Sequence, residues 1–470
     1  MRHIPAPILR RTRGDLVATA LISAVALFGV GTVWATSDTH QAHLDNSEVG
    51  ELPKQYGPPV SIPQKLREIW EAETAALPGV VAPVTLRDQT LIVNNSEDGS
   101  SIIRGVDSNG KQLWSYERSR PVCSLTKAWD KFVVTYRGPH GCGDVLSFTP
   151  EGKYAYSRSA IAPEIVAPLS SNDRAGIGSP GRVALWRSDL VRTVEYGRVE
   201  APQESSMQPA PTCIPNSALT RKDLLALTET CADGSVWLRL NKTTPEDSRK
   251  PELIGQVELK KANEEPAPQG QETAARRSDD PYLVAINAEG VAVMFPKGRH
   301  AKSPQPLTIS YNDKGQELSH KVLKDAVPAP PEIRAEVAHP KAFRGHGDQH
   351  LPFGQASFVH PVTADLAHHM TWWDGHALHF FKPGKLEADY VLDNVIGTGV
   401  SLSREENNPG LSRMIMPTAE GLAILDEKDG KVISTIALDR GGWTGDVHLS
   451  WANGRLIEQR GTTVVALGAA

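Results

Sequence analysis

From residue 90 onward the chain alternates short apolar runs with polar turns. "TLIVNNS" at 90–96, "KFVVTYR" at 131–137, "RVALWRS" at 182–188, "DLLALTE" at 223–229 and "YLVAINAEGVAVMF" at 282–295 each read as strands. "HHMTWWDGHALHFF" at 368–381 and "SRMIMPTAEGLAIL" at 412–425 continue the series. Turn residues interrupt them every few positions, as an all-β domain requires. Outside the N-terminus no long amphipathic period of 3.6 is present. The clearest unit is "VDSNGKQLWSYER" at 106–118: Asp107 can cap the turn, Gly110 can take a positive φ, and apolar residues flank both sides.

That unit repeats. "LSFTPEGKYAY" at 146–156 and "TISYNDKGQELSH" at 308–320 share its turn, and "LAILDEKDGKVISTIAL" at 422–438 has a turn one residue longer. Each has strands leading into it. Further pairs occur at 191–199, at 234–240 with 253–259, and at 455–467, the last with no hairpin after it. "KLREIWEAET" at 65–74 supplies a missing outer strand, so that joining both ends in one sheet closes a ring. The expectation is an all-β β-propeller of seven or eight four-stranded blades, eight favoured, rather than two sandwiches.

The hairpins "VDSNGKQLWSY" and "LDEKDGKVISTIAL" resemble the repeat of the pyrroloquinoline-quinone-like (quinoprotein-type) propeller superfamily. The resemblance implies that Trp114 packs between blades. In the second hairpin Ser434 stands at the Trp position, and the other copies are degenerate. The chain also resembles uncharacterised single-pass envelope proteins of actinobacteria. The repeat identifies a scaffold and not an activity. Quinoprotein dehydrogenases of this superfamily bind the quinone with calcium, and many carry an adjacent cysteine pair. No two cysteines are adjacent here, and no calcium cage or catalytic aspartate is assignable, so no cofactor is expected.

The N-terminus changes the picture of location. Arg2, Arg10, Arg11 and Arg13 precede an uncharged run from Leu16 to Ala35, long enough to cross a bilayer as a helix. The arginines place residues 1–15 in the cytoplasm, 16–35 in the membrane, 36–61 as an extracytoplasmic, mostly disordered tether, and 62–470 as the propeller. A cleaved signal peptide is the competing reading, with Val33 and Ala35 at a small-residue site. Four cysteines, Cys123, Cys142, Cys213 and Cys231, allow three connectivities. Local closure favours Cys123–Cys142 and Cys213–Cys231, in keeping with an exported domain.

Net charge is -5, which gives no basis for nucleic-acid binding. GxSxG, P-loop, GxGxxG and HExxH motifs are absent. His346, Asp348 and His350, with His360, His368, His369, His376 and His379, crowd one region; they are read as loop and strand-edge histidines and not as a metal set. The polar segments 260–280 and 325–354 are read as disordered or functional loops, and 200–217 as a crossing pinned by Cys213. Trp186, Arg187, Arg192 and Tyr196 are residue types of interface hot spots. Trp372 and Trp373 are adjacent on a strand, so that one is expected between blades and the other exposed. No catalytic residue is assigned. The expected function is binding or scaffolding of envelope or membrane proteins. The alternative is a small-ligand (quinone or glycan) binding protein or enzyme using the central channel.

Overall fold

The structure, a computed structural model, describes residues 12–50, 57–199, 207–210, 212–248, 250–262, 276–299, 305–336, 355–404 and 411–470. Eight sheets follow one another along the chain, their consecutive strands antiparallel over 85–118, 122–159, 167–197, 213–260, 282–322, 362–392 and 400–437, with the eighth made of 448–469 and Leu66–Glu73. These are blades 1 to 8 of a β-propeller. In each blade the chain runs outward strand by strand, and first strands of successive blades meet around the axis: Val122–Ala128 with Ala167–Ser170, Ala167–Ser170 with Cys213–Arg221, and Cys213–Arg221 with Tyr282–Ile286. The chain ends close the ring as the sequence implied. Leu66–Glu73 pairs antiparallel with Thr463–Ala469 as the outer strand of blade 8.

The repeated turn explains how blades dock. Asp107 Oδ1 accepts from the amides of Asn109 and Lys111, and Gly110 follows at φ 88°. The left-handed conformation and the missing side chain together let an aromatic ring lie on the turn. A Cβ on Gly110 would come within 2.8 Å of Trp70 on the outer strand of blade 8. Gly152 of blade 2 receives Trp114 of blade 1 in the same way, and Gly430 of blade 7 receives Tyr390 and Leu392 of blade 6. The polar contacts repeat as well. Trp70 Nε1 donates to the Ser108 carbonyl at 3.2 Å, and Tyr390 Oη to the equivalent Glu427 carbonyl at 2.6 Å. Trp114 Nε1 reaches the Pro150 carbonyl through Gln89, which accepts at 2.8 Å and donates at 2.7 Å. Trp114 therefore packs between blades, as the resemblance implied.

Both faces of a blade meet a neighbour, so strand alternation sorts residues between two blades and not between core and water. Trp372 stacks on His379 and meets Tyr282 of blade 5 edge-on, whereas Trp373 lies among Met414, Met416 and Leu425 of blade 7. Both are buried. The expectation of one exposed tryptophan is corrected for that reason.

Two disulfides join Cys123 to Cys142 and Cys213 to Cys231. The first links the inner and third strands of blade 2; the second links directly paired residues of blade 4. Two elements go beyond four-stranded blades. Part of the segment read as a disordered tether is ordered: a helical turn Asp38–Gln41 leads to His43–Asp45, which pairs with Gln112–Arg118 as a fifth strand of blade 1. Arg120 holds Asp38 in an ion pair. In blade 4, a hairpin of Glu332–Glu336 and Gln355–Val359 extends the sheet on its inner side. Ahead of the ring, the helix Arg13–Thr36 is long and apolar enough to cross a membrane.

Candidate functional site

The axial channel is where inner strands of different blades converge, and the blade 4 hairpin enters it. Ser217 on the inner strand of blade 4 pairs in parallel with Val359 of the hairpin. Phe358 is fully buried against Leu169, Leu225 and the backbone of Gly178. His360 then reaches the inner strand of blade 3 and the segment that precedes blade 1. Its Nε2 lies 2.8 Å from the Pro168 carbonyl, and its ring rests on Gly79, at φ 73°. Burial holds the His360 imidazole below its ordinary pKa, against the opposing pull of the Pro168 carbonyl. A neutral ring donating Nε2–H to that carbonyl fits this geometry.

On one side of His360 the channel widens into a cavity of about 360 Å³. Lys127, Arg221, Asp365, Asn172 and the hydroxyl-bearing Ser170 and Thr363 line it. Arg221 Nη2 and Asp365 are ion-paired. Lys127 Nζ donates to the Thr85 carbonyl at 2.6 Å; the side chain is open to the channel, and desolvation by the surrounding walls lowers its pKa. Thus the mouth combines one neutralised pair with one amine that has a carbonyl partner. This arrangement can hold a small anion; no nucleophile–base pair converges there among the described residues. A smaller cavity of about 320 Å³ lies beside the hairpin, lined by Pro78, Ile165, Glu332, Ile333 and Arg334.

The interface candidates are spread over two blades and do not form one patch. Trp186 is buried between blades 2 and 3. Tyr196 is buried toward blade 4, where its hydroxyl donates to Glu229 at 2.8 Å. Arg187 is 57% exposed and pairs with Asp189 at 2.9 Å in the hairpin before the outer strand. Arg192 pairs with buried Glu195, which also takes Arg182 at 2.5 Å. Trp372 and Trp373 lie in blade 6, across the ring. Of the six, Arg187 alone is strongly exposed.

The histidines divide in the same way. His346, Asp348 and His350 lie outside the described residues. His369 sits between Glu427 and Asp389, 3.3 Å from each, at the junction of blades 6 and 7. His379 contacts Asp374 at 2.8 Å. His368 meets Arg404, and His376 donates its backbone amide to Asp374. The described histidines thus serve separate structural contacts. Cys213, Glu229 and Cys231 do lie close enough together to surround an ion, but the two sulfurs are bonded to each other. Sequence reasoning missed the hairpin and Lys127. The parallel pairing joins residues 217 and 359, a separation no local pattern signals.

No protein-family model and no curated protein matches the chain. Among solved structures, BamB from Moraxella catarrhalis is 11% identical, with a TM-score of 0.46 over 86% of this chain and 99% of its own. BBS1N, solved in complex with ARL6DN, is 9% identical, with a TM-score of 0.34 over 88% of this chain and 98% of its own.

Proposed function

We propose that this chain is a membrane-anchored, extracytoplasmic β-propeller that binds or scaffolds cell-envelope components and is not an enzyme. The observation that carries the reading is the hairpin in the channel. Val359 and His360 of the chain itself line the inner side of blade 4 and narrow the channel there, beside the cavity of about 360 Å³. Besides that cavity, the rim and the outer edges are open for recognition, which suits protein contacts. The apolar helix Arg13–Thr36 would hold the ring at the membrane with its N-terminus in the cytoplasm, and the two disulfides accord with an oxidising compartment. Kinship to the pyrroloquinoline-quinone-like superfamily is supported by the repeated aromatic-on-glycine docking and is part of this proposal. Arg187 and Arg192 are the rim candidates of blade 3, while Trp186, Tyr196, Trp372 and Trp373 would act through the shape of the blades.

In-cell cross-linking of the full anchored chain, followed by identification of what it carries, tests the reading. A reproducible envelope partner whose yield falls when Arg187 and Arg192 become Ala supports it. An absence of protein adducts refutes it. A second reading rests on Lys127: the cavity of about 360 Å³ would bind a small anionic ligand. Calorimetry with candidate carboxylates and phosphates on the wild type and Lys127→Met discriminates it.

A further inference from the structure

Outer strands of a propeller present unpaired backbone groups, and proteins blunt such edges with charges, bulges or covering segments. All eight outer strands here are bulged next to the strand they pair with. The bulge therefore does not distinguish one edge from another. Covering and charge do. The blade 1 edge is covered by His43–Asp45. The outer strands of blades 2 to 6 and of blade 8 each carry at least one charged residue: Arg158, Arg192, Glu258, Glu317, Asp389 and Glu71 are examples. The outer strand of blade 7, Val432–Ala437, reads VISTIA and carries none. It also exposes Val432 by 60% and Ile433 by 48%. Among the described residues its sole strand partner is Gly421–Asp426 on the inner side.

We propose that Val432–Ala437 takes up an uncharged, extended segment of a partner protein as a fifth strand. The assignment deepens the scaffold reading and rests on it. Two observations on this ring choose the occupant. First, His43–Asp45, which comes from outside the ring, already occupies the equivalent edge of blade 1, so a blade of this geometry accepts a fifth strand. Second, the charge pattern selects the sequence. A strand laid beside Ile433, Thr435 and Ala437 meets no opposite charge, so a charged residue in it would go unpaired. Backbone hydrogen bonds would supply affinity, and the uncharged side chains would supply choice.

The test uses the full chain in detergent and, as the probe, an end-capped synthetic peptide of alternating valine and threonine, VTVTVT, which is uncharged and is not a segment of this chain. Hydrogen exchange reports each edge. At saturating peptide, alternate amides within 432–437 should slow by about ten-fold or more, while 154–159 of blade 2 should not change. Thr435→Lys should abolish the slowing without shifting thermal unfolding, because Thr435 is exposed. No slowing, or equal slowing at 154–159, overturns the proposal. Protection that grows with protein concentration without peptide also overturns it, because a second copy would then be the occupant. Peptide binding without any cross-linked partner in cells would sink the scaffold reading and leave the edge as a strand acceptor; the reverse result would sink the edge alone.

Discussion

At the residue scale, one contact type recurs: a ring from one blade lying on a left-handed glycine of the next. Trp114 on Gly152 is the fullest case, because Phe132 and Phe148 surround the same indole. Trp114→Ala removes that ring from a closed site and should destabilise the protein by about 3–5 kcal/mol, read by urea unfolding. Gly152→Val should also destabilise, since Gly152 holds φ 68° and a Cβ there would lie 2.5 Å from the indole. Gly99, also at positive φ but with open space around it, provides the control. Gly99→Val should cost only the backbone strain. Equal losses at the two glycines would show that docking adds nothing beyond turn conformation.

At the element scale, inter-blade seams carry the titrating groups. His448, which starts blade 8, is buried, and its Nδ1 accepts from the Thr398 hydroxyl at 3.0 Å. Burial pulls its pKa down to about 4. The folded value lies below the unfolded one of about 6.5, so the neutral ring is favoured and protonation favours unfolding. Stability should therefore fall by about 3 kcal/mol as pH drops from 6.5 to 4, and His448→Gln should flatten that decline in pH-dependent denaturation. His369 works in the opposite direction. Burial lowers its pKa, but contacts with Glu427 and Asp389 outweigh burial and raise it. Its contribution is present in full below the unfolded value and is lost as pH rises through the raised folded one. His369→Gln should accordingly weaken the protein at pH 5.5 more than at pH 8.5. The disulfides act within blades 2 and 4. In the chain-entropy model a loop of this length is worth about 3 kcal/mol, so replacing Cys123 and Cys142 by Ser should lower the melting temperature measurably.

At the scale of the whole molecule, the ring depends on its closure. Leu66–Glu73 and Thr463–Ala469 bring the two ends of the propeller into one sheet, and Arg460, on the next strand inward, reaches over Thr463–Ala469 to Glu68 at 2.5 Å. Deleting residues 463–470 removes the third strand of blade 8 and leaves Leu66–Glu73 without a partner. Such a chain should be cleaved rapidly in limited proteolysis, whereas removal of residues 1–36 should leave a protease-resistant ring. The same pair of samples tests the anchor. The full chain should stay with membranes through alkaline carbonate extraction, and the shortened one should not.

Much of this was legible in the chain. Period-two alternation marked the strands, Asp-to-Gly turns marked the hairpins, and the strand pair without a following hairpin at 455–467 pointed to closure by 65–74. These features are local, or they repeat at a fixed interval, so they survive in one dimension. The uncharged run Leu16–Ala35 and the cysteine spacing are local in the same sense. Only the tertiary structure decided where aromatic residues face. Trp186 and Trp372 have the composition of an interface and the burial of a seam, because a blade has neighbours on both sides. Only the fold brought Val359 beside Ser217, ordered His43–Asp45 on blade 1, and set Lys127 in the channel wall. Contacts between residues far apart in sequence follow from how the sheets close on one another, and the alternation of apolar and polar positions carries no record of that.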